Sequence, residues 1–212
     1  MTQAKGIFLA LEGIDGSGKT TQLQKLAARL AQLNIKHYLT QEPTSGPVGS
    51  LIRQILTGRT LADNRVMASL FVADRLDHLL NSADGICQQI EAGVCVLTDR
   101  YYFSSYAYQS VDMDLDWLIN ANRPSAEILR PSLTIFLDIP VSTALARIQA
   151  GRFHTELYEK EERLLAVRRQ YLTAFAKLQN EENIAIIDAD ADAETVAERI
   201  WQAAAPLFNQ PK

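Results

Sequence analysis

Short apolar runs alternate along this chain with longer segments in which apolar residues recur at helical spacing. The short runs predict five β-strands, at Ile7–Leu11, Lys36–Thr40, Val94–Leu97, Leu133–Leu137 and Ile184–Ile187. Alternation of strands and helices is typical of a parallel sheet covered by helices on both faces. We therefore predict a single α/β domain over residues 1–212, built on a doubly wound, five-stranded parallel sheet.

Helical periodicity predicts a first helix after the opening strand, a short helix at Leu51–Leu56 and a long helix from about Asp63. Two segments lack this periodicity. Thr44–Gly49 is rich in Gly, Pro and Ser, and Ala150–Thr155 carries Gly, Arg and His between two predicted helices. Loops of this kind in a compact domain are candidates for moving parts over a site, and we predict a short lid at about residues 150–158.

The composition is that of an ordinary globular protein, with 47% apolar residues, 22% charged residues and a net charge of −4. An acidic chain is not expected to coat a nucleic acid polymer. We find no leader pattern and no apolar run near the ~20 residues that span a bilayer, so we expect no membrane partner. The only two cysteines, Cys87 and Cys95, are expected to be reduced and buried, which predicts a cytoplasmic protein.

A glycine-rich segment follows the first predicted strand and opens the first predicted helix. Its sequence GIDGSGKT fits the phosphate-binding pattern G-x-x-x-x-G-K-[ST], the P-loop. Glycines let successive backbone N–H groups point at phosphate oxygens, and the helix adds its positive N-terminal end. The residues predicted to bind ATP are therefore Gly13, Ile14, Asp15, Gly16, Ser17, Gly18, Lys19 and Thr20. Within this set Lys19 is expected to reach the β- and γ-phosphates, and the Thr20 hydroxyl to bind Mg²⁺.

Asp99 and Arg100 end the third predicted strand. The carboxyl ends of strands in a doubly wound sheet face the ligand crevice, so Asp99 is a second candidate ligand of Mg²⁺, directly or through water. A turn or helix cap is the alternative for an acid in this position. Arg100 is expected in the same crevice, whereas Arg53 and Arg75, taken alone, are typical of solvated helix arginines.

An aromatic run follows directly, and it contains Tyr101, Tyr102, Phe103, Tyr106 and Tyr108 with Ser104, Ser105 and Gln109. Core packing explains some of these aromatic residues. The run also suits a planar base, because aromatic faces stack on bases and the Gln109 amide pairs a donor and an acceptor with a base edge.

Taken together, these segments resemble thymidylate kinases, which transfer a phosphoryl group from ATP to dTMP. The resemblance covers essentially the whole chain and rests on Leu11–Gln22, Gln41–Thr44, Leu70–Arg75, Asp99–Gln109, Pro131–Asp138 and Leu157–Glu159. Asp99–Gln109 is the most specific of them, because many families share the P-loop. The family implies a five-stranded parallel sheet, ATP and Mg²⁺, and usually a homodimer.

The resemblance also implies an acceptor site, with its binding segment at about residues 42–75. Its expected dTMP-binding residues are Glu42, Arg53, Phe71, Arg75, Arg100, Ser105, Tyr108, Gln109 and Tyr158. By resemblance, Phe71 stacks on thymine, and Arg75 and Gln109 contact the base edge. Arg53 and Arg100 hold the phosphate of dTMP.

Further roles follow from the same likeness. Tyr108 crowds the 2′ position of the sugar, Tyr158 closes over the nucleotide, and Arg147 stacks on adenine. Asp15 and Glu42 lie near the sugar, the phosphate or the metal.

Two positions depart from many relatives. Gln41 stands where many carry an arginine, and Gly16 stands where some carry an arginine inside the P-loop. The missing charge is then expected from the lid, from Arg152, so the implied catalytic residues are Lys19, Arg100, Arg152 and Asp15.

Two other functions fit parts of this sequence. A deoxynucleoside kinase needs a carboxylate base beside a sugar hydroxyl, and Glu12 or Glu42 is a candidate for it. Transfer to dTMP needs no base, since the second pKa of a phosphate monoester is ~6 and its oxygen is largely ionised at pH 7. A P-loop switch protein leaves the arginines and the aromatic run without a shared purpose. ADP release that depends on a nucleoside monophosphate separates the kinase from the switch.

Overall fold

The structure is a computed structural model that describes residues 6–150 and 157–208, without the side chains of residues 150 and 157–160. The predicted lid arginine, Arg152, and the side chain of Tyr158 lie outside the described residues. The described strands are β1 Phe8–Glu12, β2 His37–Gln41, β3 Cys95–Asp99, β4 Leu133–Asp138 and β5 Ile184–Asp188. The described helices are α1 Lys19–Gln32, α2 Pro47–Leu56, α3 Asn64–Leu80, α4 Ile86–Glu91, α5 Tyr102–Gln109, α6 Leu115–Ile128, α7 Val141–Ala150, α8 Leu157–Leu178 and α9 Ala193–Phe208.

The five strands form one parallel sheet in the order β2-β3-β1-β4-β5. β1 is central and all five of its residues are buried, as expected for a parallel strand covered on both faces. Ala10 in its middle pairs with Thr98 of β3 on one side and Thr134 of β4 on the other. The predicted α/β fold is therefore confirmed.

Every strand runs one or two residues further toward its carboxyl end than the apolar pattern indicates. The added residues are Glu12, Gln41, Thr98 with Asp99, Asp138 and Asp188. Their backbones continue the ladder although their side chains are polar, so apolar runs alone underestimate the strands. This is the edge at which polar side chains of the central strands meet the loops of the site.

The predicted helix from about Asp63 is α3, and the Asp63 carboxylate caps it by accepting a hydrogen bond from the Arg65 N–H. The loop predicted at Thr44–Gly49 is shorter than expected, because α2 already begins at Pro47. Proline at the first helical position has its φ angle preset for the helix and lacks a donor that would have no partner there. None of the described helices is both long enough and apolar enough to cross a membrane.

Four of the five aromatic residues after Arg100 belong to the core. Tyr101, Tyr102, Phe103 and Tyr106 are each at most 2% exposed. The Phe103 ring packs on Phe175 of α8 with ring centroids 4.8 Å apart. Core packing, one of the two explanations for this run, therefore accounts for these four, and Tyr108 alone turns toward a cavity.

Candidate active site

The P-loop wraps tightly between β1 and α1. Gly13, Gly16 and Gly18 have φ angles of 152°, 80° and 94°, which side-chain-bearing residues rarely adopt. A Cβ atom at Gly16 would lie 2.5 Å from the Ala144 carbonyl oxygen of α7. A side chain at this position therefore meets both an unfavourable backbone conformation and a backbone contact.

Lys19 folds back over this loop. Its Nζ donates hydrogen bonds to the carbonyl oxygens of Gly13 at 3.0 Å and Ile14 at 3.1 Å, and the residue is 7% exposed. Burial, reinforced by the positive charge of Arg100, lowers the pKa of Lys19 to about 8. Burial thus destabilises the charged form of Lys19, and an incoming anion such as a phosphate group would stabilise it.

The two predicted metal ligands lie side by side. The Thr20 hydroxyl donates a hydrogen bond to Asp99 Oδ2 at 2.7 Å, across the gap between the start of α1 and the end of β3. A hydroxyl and a carboxylate are the hard oxygen donors that suit Mg²⁺. The pair opens onto the same cleft as Lys19.

Arg100 reaches across the mouth of the P-loop. Its guanidinium donates to Asp15 Oδ1 at 2.5 Å and to the Ser104 hydroxyl at 3.0 Å, with a longer contact to the Gly13 carbonyl oxygen. It also lies 4.8 Å from the centroid of the Tyr108 ring. Arg100 therefore contacts both the P-loop and α5.

Tyr108 contacts the P-loop through its hydroxyl. This oxygen accepts hydrogen bonds from the Asp15 N–H at 2.9 Å and from Arg100 at 3.3 Å. Burial raises the pKa of Tyr108 to about 12, so the phenol stays neutral at physiological pH. One aromatic side chain of α5 is thereby fixed to the P-loop backbone.

Two cavities meet at Asp15 and Arg100. The first, of about 540 Å³, is a polar cleft lined by Asp15, Gly16, Gly18, Lys19, Thr20, Thr21, Gln41, Glu42, Asp99, Arg100 and Arg147. The second, of about 620 Å³, is more apolar and is lined by Asp15, Pro43, Ile55, Leu56, Asn64, Met67, Phe71, Arg100, Ser104, Ser105, Tyr108, Gln109, Asp112, Arg163, Leu164 and Val167. Ligands in the two cavities would face each other across the Asp15–Arg100 ion pair.

The second cavity is lined by an amide that no described residue engages. Both polar atoms of the Gln109 side chain are buried, and neither has a hydrogen-bond partner among the described residues. Phe71 of α3 and Ser105 line the same cavity. An aromatic ring, a hydroxyl and an amide with a free donor and acceptor are the groups that recognise a planar, polar-edged ligand.

Arg75 lies behind this cavity and does not line it. It is 1% exposed, and its Nε and Nη2 donate to Glu42 Oε2 at 2.9 and 2.6 Å. Another bond, 3.3 Å long, goes to the Ser105 hydroxyl. Burial by itself lowers the pKa of an arginine, but the charge and hydrogen bonds of Glu42, together with the phenols of Tyr101 and Tyr106, more than offset it and leave the pKa of Arg75 raised. Arg75 therefore reaches the cavity wall through Ser105.

Arg53 and Arg147 hold backbone segments at the borders of the site. Arg53 of α2 donates to the carbonyl oxygens of Pro43 at 3.1 Å and Thr44 at 2.5 Å, and it lines neither cavity. Arg147 of α7 contacts the Ser17 carbonyl oxygen at 3.4 Å and lines the first cavity. Of these two predicted ligand contacts, only Arg147 faces a cavity directly.

Neither carboxylate considered as a base is available for that role. Glu12 is fully buried, lines neither cavity and accepts hydrogen bonds from four donors, which are Tyr101 N, Ser104 N, Ser104 Oγ and Tyr171 Oη. Burial raises its pKa. The second oxygen of Glu42 lies 3.2 Å from His78 Nδ1. Glu42 lines the polar cleft, but both of its oxygens are engaged by neighbouring side chains.

Several residues of the second cavity have no signal in the sequence pattern. Asn64 and Met67 come from α3, and Leu164 and Val167 from α8. At its border, Arg163 of α8 donates to Asp112 Oδ2 at 3.2 Å. The apolar members could have been recognised only as parts of amphipathic helices, and nothing in a single sequence joins α3 to α8.

Comparison with known proteins bears on this arrangement. The profile of the thymidylate kinase family matches residues 11–200. A "Probable thymidylate kinase" of Thermococcus kodakarensis is 37% identical over 203 residues, covering 92% of this chain and 95% of the relative. One of Pyrococcus horikoshii with the same name is 40% identical over 174 residues, covering 79% and 82%. The "Thymidylate kinase" of Thermomicrobium roseum is 36% identical over 198 residues, 92% of each chain.

Proposed function

The chain belongs to the thymidylate kinase family, and we propose that its two cavities hold the two substrates of that family's reaction. It is an enzyme that transfers the γ-phosphoryl group of ATP to dTMP, giving dTDP and ADP. The observation that carries the assignment of substrates to cavities is the meeting of the polar cleft and the apolar cavity at Asp15 and Arg100. Phosphoryl transfer requires the phosphates of ATP and dTMP to lie in line, and the positively charged Arg100 side chain lies at the junction where they would meet.

ATP occupies the polar cleft. The P-loop N–H groups and the start of α1 receive its phosphates, and Lys19 turns from the Gly13 and Ile14 carbonyl oxygens to the β- and γ-phosphates. Arg147, at the outer side of the cleft, stacks on adenine. Support for this role is its position against the Ser17 carbonyl oxygen, its exposure as a residue and its place in the lining of the polar cleft.

Thr20 and Asp99 would hold Mg²⁺. Their 2.7 Å contact brings two hard oxygen donors together at the edge of the phosphate cleft, which fits the ion. Bound there, the ion would screen the charge of the phosphate oxygens. Glu42 is not a metal ligand in this proposal, because Arg75 and His78 engage its carboxylate.

dTMP occupies the apolar cavity. Phe71 stacks on thymine and the Gln109 amide pairs with the base edge, which gives this buried amide the partners that the described residues do not provide. Ser105 lies beside the base and is positioned by Arg75. Arg75 itself acts from behind the wall, and Arg53 shapes the Pro43–Thr44 turn.

The chemistry requires charge stabilisation rather than a base. The acceptor oxygen of dTMP is largely ionised near pH 7, and both candidate carboxylates are engaged elsewhere. Arg100 leaves Asp15 to contact the acceptor phosphate and the transferring group. Arg152 supplies a second guanidinium and Tyr158 closes over the nucleotide, both from the segment at about residues 150–158. Gly16 supports this role for Arg152, because a side chain at that P-loop position would meet the Ala144 carbonyl oxygen of α7.

The enzyme works as a cytoplasmic homodimer. Support for the dimer is the family resemblance together with exposed apolar side chains on the neighbouring helices α2, α3 and α6, at Leu51, Val66, Trp117 and Ile128. Support for the compartment is the pair of free cysteines. Sedimentation equilibrium measures the mass, and a monomer at micromolar concentration contradicts the dimer.

A coupled assay of ADP release against nucleosides and nucleoside monophosphates tests the assignment. We expect turnover with dTMP, little with thymidine, and no ADP release without an acceptor. Lys19→Ala should remove most of this turnover while the folded protein persists. Phosphorylation of thymidine in preference to dTMP contradicts the assignment of the apolar cavity.

A further inference from the structure

Arg100 has an unusual backbone. Its φ angle is +75°, in the left-handed region that residues with a side chain seldom adopt and that persists only where the surroundings impose it. Arg100 is one of two described residues other than glycine with a positive φ. The conformation redirects the chain at the end of β3, so that Arg100 faces the cleft while Tyr101 enters the core.

Hydrogen bonds hold each backbone polar group around this turn. The Arg100 N–H donates to the Leu11 carbonyl oxygen at 2.9 Å, and the Tyr101 N–H donates to the Glu12 carboxylate at 2.8 Å. The Arg100 carbonyl oxygen accepts a hydrogen bond from the Thr98 hydroxyl at 2.9 Å. Two side chains, those of Thr98 and Glu12, thus act directly on the backbone of the turn.

Thr98 contacts this backbone from a buried position. It is 0% exposed, lies within β3 and lines neither cavity. A buried hydroxyl on a central strand is costly unless it has a hydrogen-bond partner, and its partner here is the carbonyl oxygen of the arginine two residues later. The hydroxyl therefore bonds to the carbonyl group whose orientation depends on the left-handed turn.

We propose that Thr98 is a positioning residue for the phosphoryl-transfer reaction, whose hydroxyl holds the Arg100 backbone in its left-handed conformation and so aims the guanidinium at the junction of the two cavities. Thr98 does not touch a substrate, and it acts only through Arg100. The inference rests on the proposed role of Arg100 in transfer. It predicts that catalysis depends on a hydroxyl that lines neither cavity.

The sheet offers a matched control. Thr134 of β4 pairs with the same residue of β1, Ala10, from the opposite side, and it is 1% exposed. Its hydroxyl has no hydrogen-bond partner among the described residues. Thr98→Val and Thr134→Val therefore make the same chemical change at two buried positions on either side of Ala10. Only Thr98→Val removes the hydrogen bond to the Arg100 carbonyl oxygen.

The experiment measures kcat and both KM values at saturating cosubstrate, at a temperature well below the melting temperature of every variant. We expect Thr98→Val to lower kcat about three- to tenfold, the factor equivalent to one ordinary hydrogen bond, with KM for ATP unchanged. Thr98→Ser keeps the hydroxyl and should recover most of the loss. Thr134→Val should have wild-type kinetics.

Three outcomes overturn the inference: wild-type kcat in Thr98→Val, no recovery in Thr98→Ser, or an equal loss in Thr134→Val. Arg100→Ala separates this failure from failure of the proposed site. If Arg100→Ala turns over normally, the role of Arg100 is wrong and the role of Thr98 falls with it. If Arg100→Ala loses activity while Thr98→Val does not, only the positioning role is wrong.

Discussion

Replacing Gln109 by leucine isolates the recognition of the base from the stability of the fold. Both polar atoms of this side chain are buried without a partner among the described residues, so the substitution breaks no described protein hydrogen bond. We expect the free energy of unfolding without ligand to change by no more than about 0.5 kcal/mol. Two hydrogen bonds to thymine, at about 0.5–1.5 kcal/mol each, would be lost, which raises the Kd for dTMP about 5- to 150-fold.

Thermal unfolding without and with dTMP measures both the stability of the fold and the affinity for dTMP. At a dTMP concentration 100 times the wild-type Kd, the ligand stabilises the wild-type protein by about 2.7 kcal/mol, or about 5–11 °C for a chain of this size. A 100-fold weaker variant gains only about 0.4 kcal/mol, or about 1–2 °C, at the same concentration. Titration calorimetry gives the Kd independently.

Ser125→Ala is the control for this prediction. The Ser125 hydroxyl is also buried without a partner among the described residues, but it lines neither cavity. Its removal should leave the dTMP-induced shift intact. If Gln109→Leu lowers the melting temperature without ligand and keeps the wild-type dTMP-induced shift, Gln109 supports the fold and does not recognise the base.

Four further predictions concern the cleft and its surroundings. Burial and Arg100 lower the pKa of Lys19 to about 8, and bound phosphate stabilises its charged form, so the Kd for ATP should rise about tenfold per pH unit above pH 8. Lys19→Arg should lose this pH dependence when ATP binding is measured from pH 7 to 9.5. Tyr108→Phe should narrow the kcat/KM ratio between dTMP and its ribo-counterpart, and an unchanged ratio would leave Tyr108 a packing residue. Glu12→Gln should lower the free energy of unfolding by about 1–3 kcal/mol and raise KM for dTMP, because Glu12 accepts hydrogen bonds from the start of α5. The control Glu182→Gln loses a contact to Tyr102 on the same helix and should lower only the melting temperature. Arg152→Ala should lower kcat by a factor of ~10³–10⁵ with little change in KM for dTMP, and Arg152→Lys should recover part of this loss. Near-wild-type turnover by Arg152→Ala would remove Arg152 from the mechanism.

The fold could be predicted because its signals are local. Four of the five strands are centred on short apolar runs, β2 being the exception, and the P-loop is eight consecutive residues between a strand and a helix. The same holds for the start of α3, where Asp63 caps the helix next to it in sequence. Physical causes that act over a few residues can be recognised in a single sequence.

The buried charges of the site could not be predicted in this way. Arg75 and Glu42 are 33 residues apart and form a buried ion pair, whereas a helical arginine taken alone is typical of a solvated side chain. Family resemblance implies that Arg75 contacts the base edge, which stays a prediction, and in the structure its side chain lies behind the cavity wall. Partners that are distant along the chain leave no periodic pattern, so neither the pairing nor the depth of burial is visible.

The orientation of the aromatic run had the same limit. Whether Tyr101 and Tyr106 face the core or the cavity depends on the left-handed turn at Arg100. A positive φ angle usually has a signal in the sequence because it falls on glycine, but here it falls on arginine. The sequence therefore permitted both explanations, and only the three-dimensional arrangement separated them.

The close approach of Gly16 to α7 limits how this protein can evolve. Because a Cβ atom there would lie 2.5 Å from the Ala144 carbonyl oxygen, a substitution to arginine alone is opposed by the backbone of a neighbouring helix. An arginine at this position would require α7 to lie further from the loop. The two ways of supplying the charge are thus separated by a steric barrier, and because the contact is with a backbone atom, glycine is expected at position 16 for as long as α7 keeps this distance, whatever residue stands at position 144.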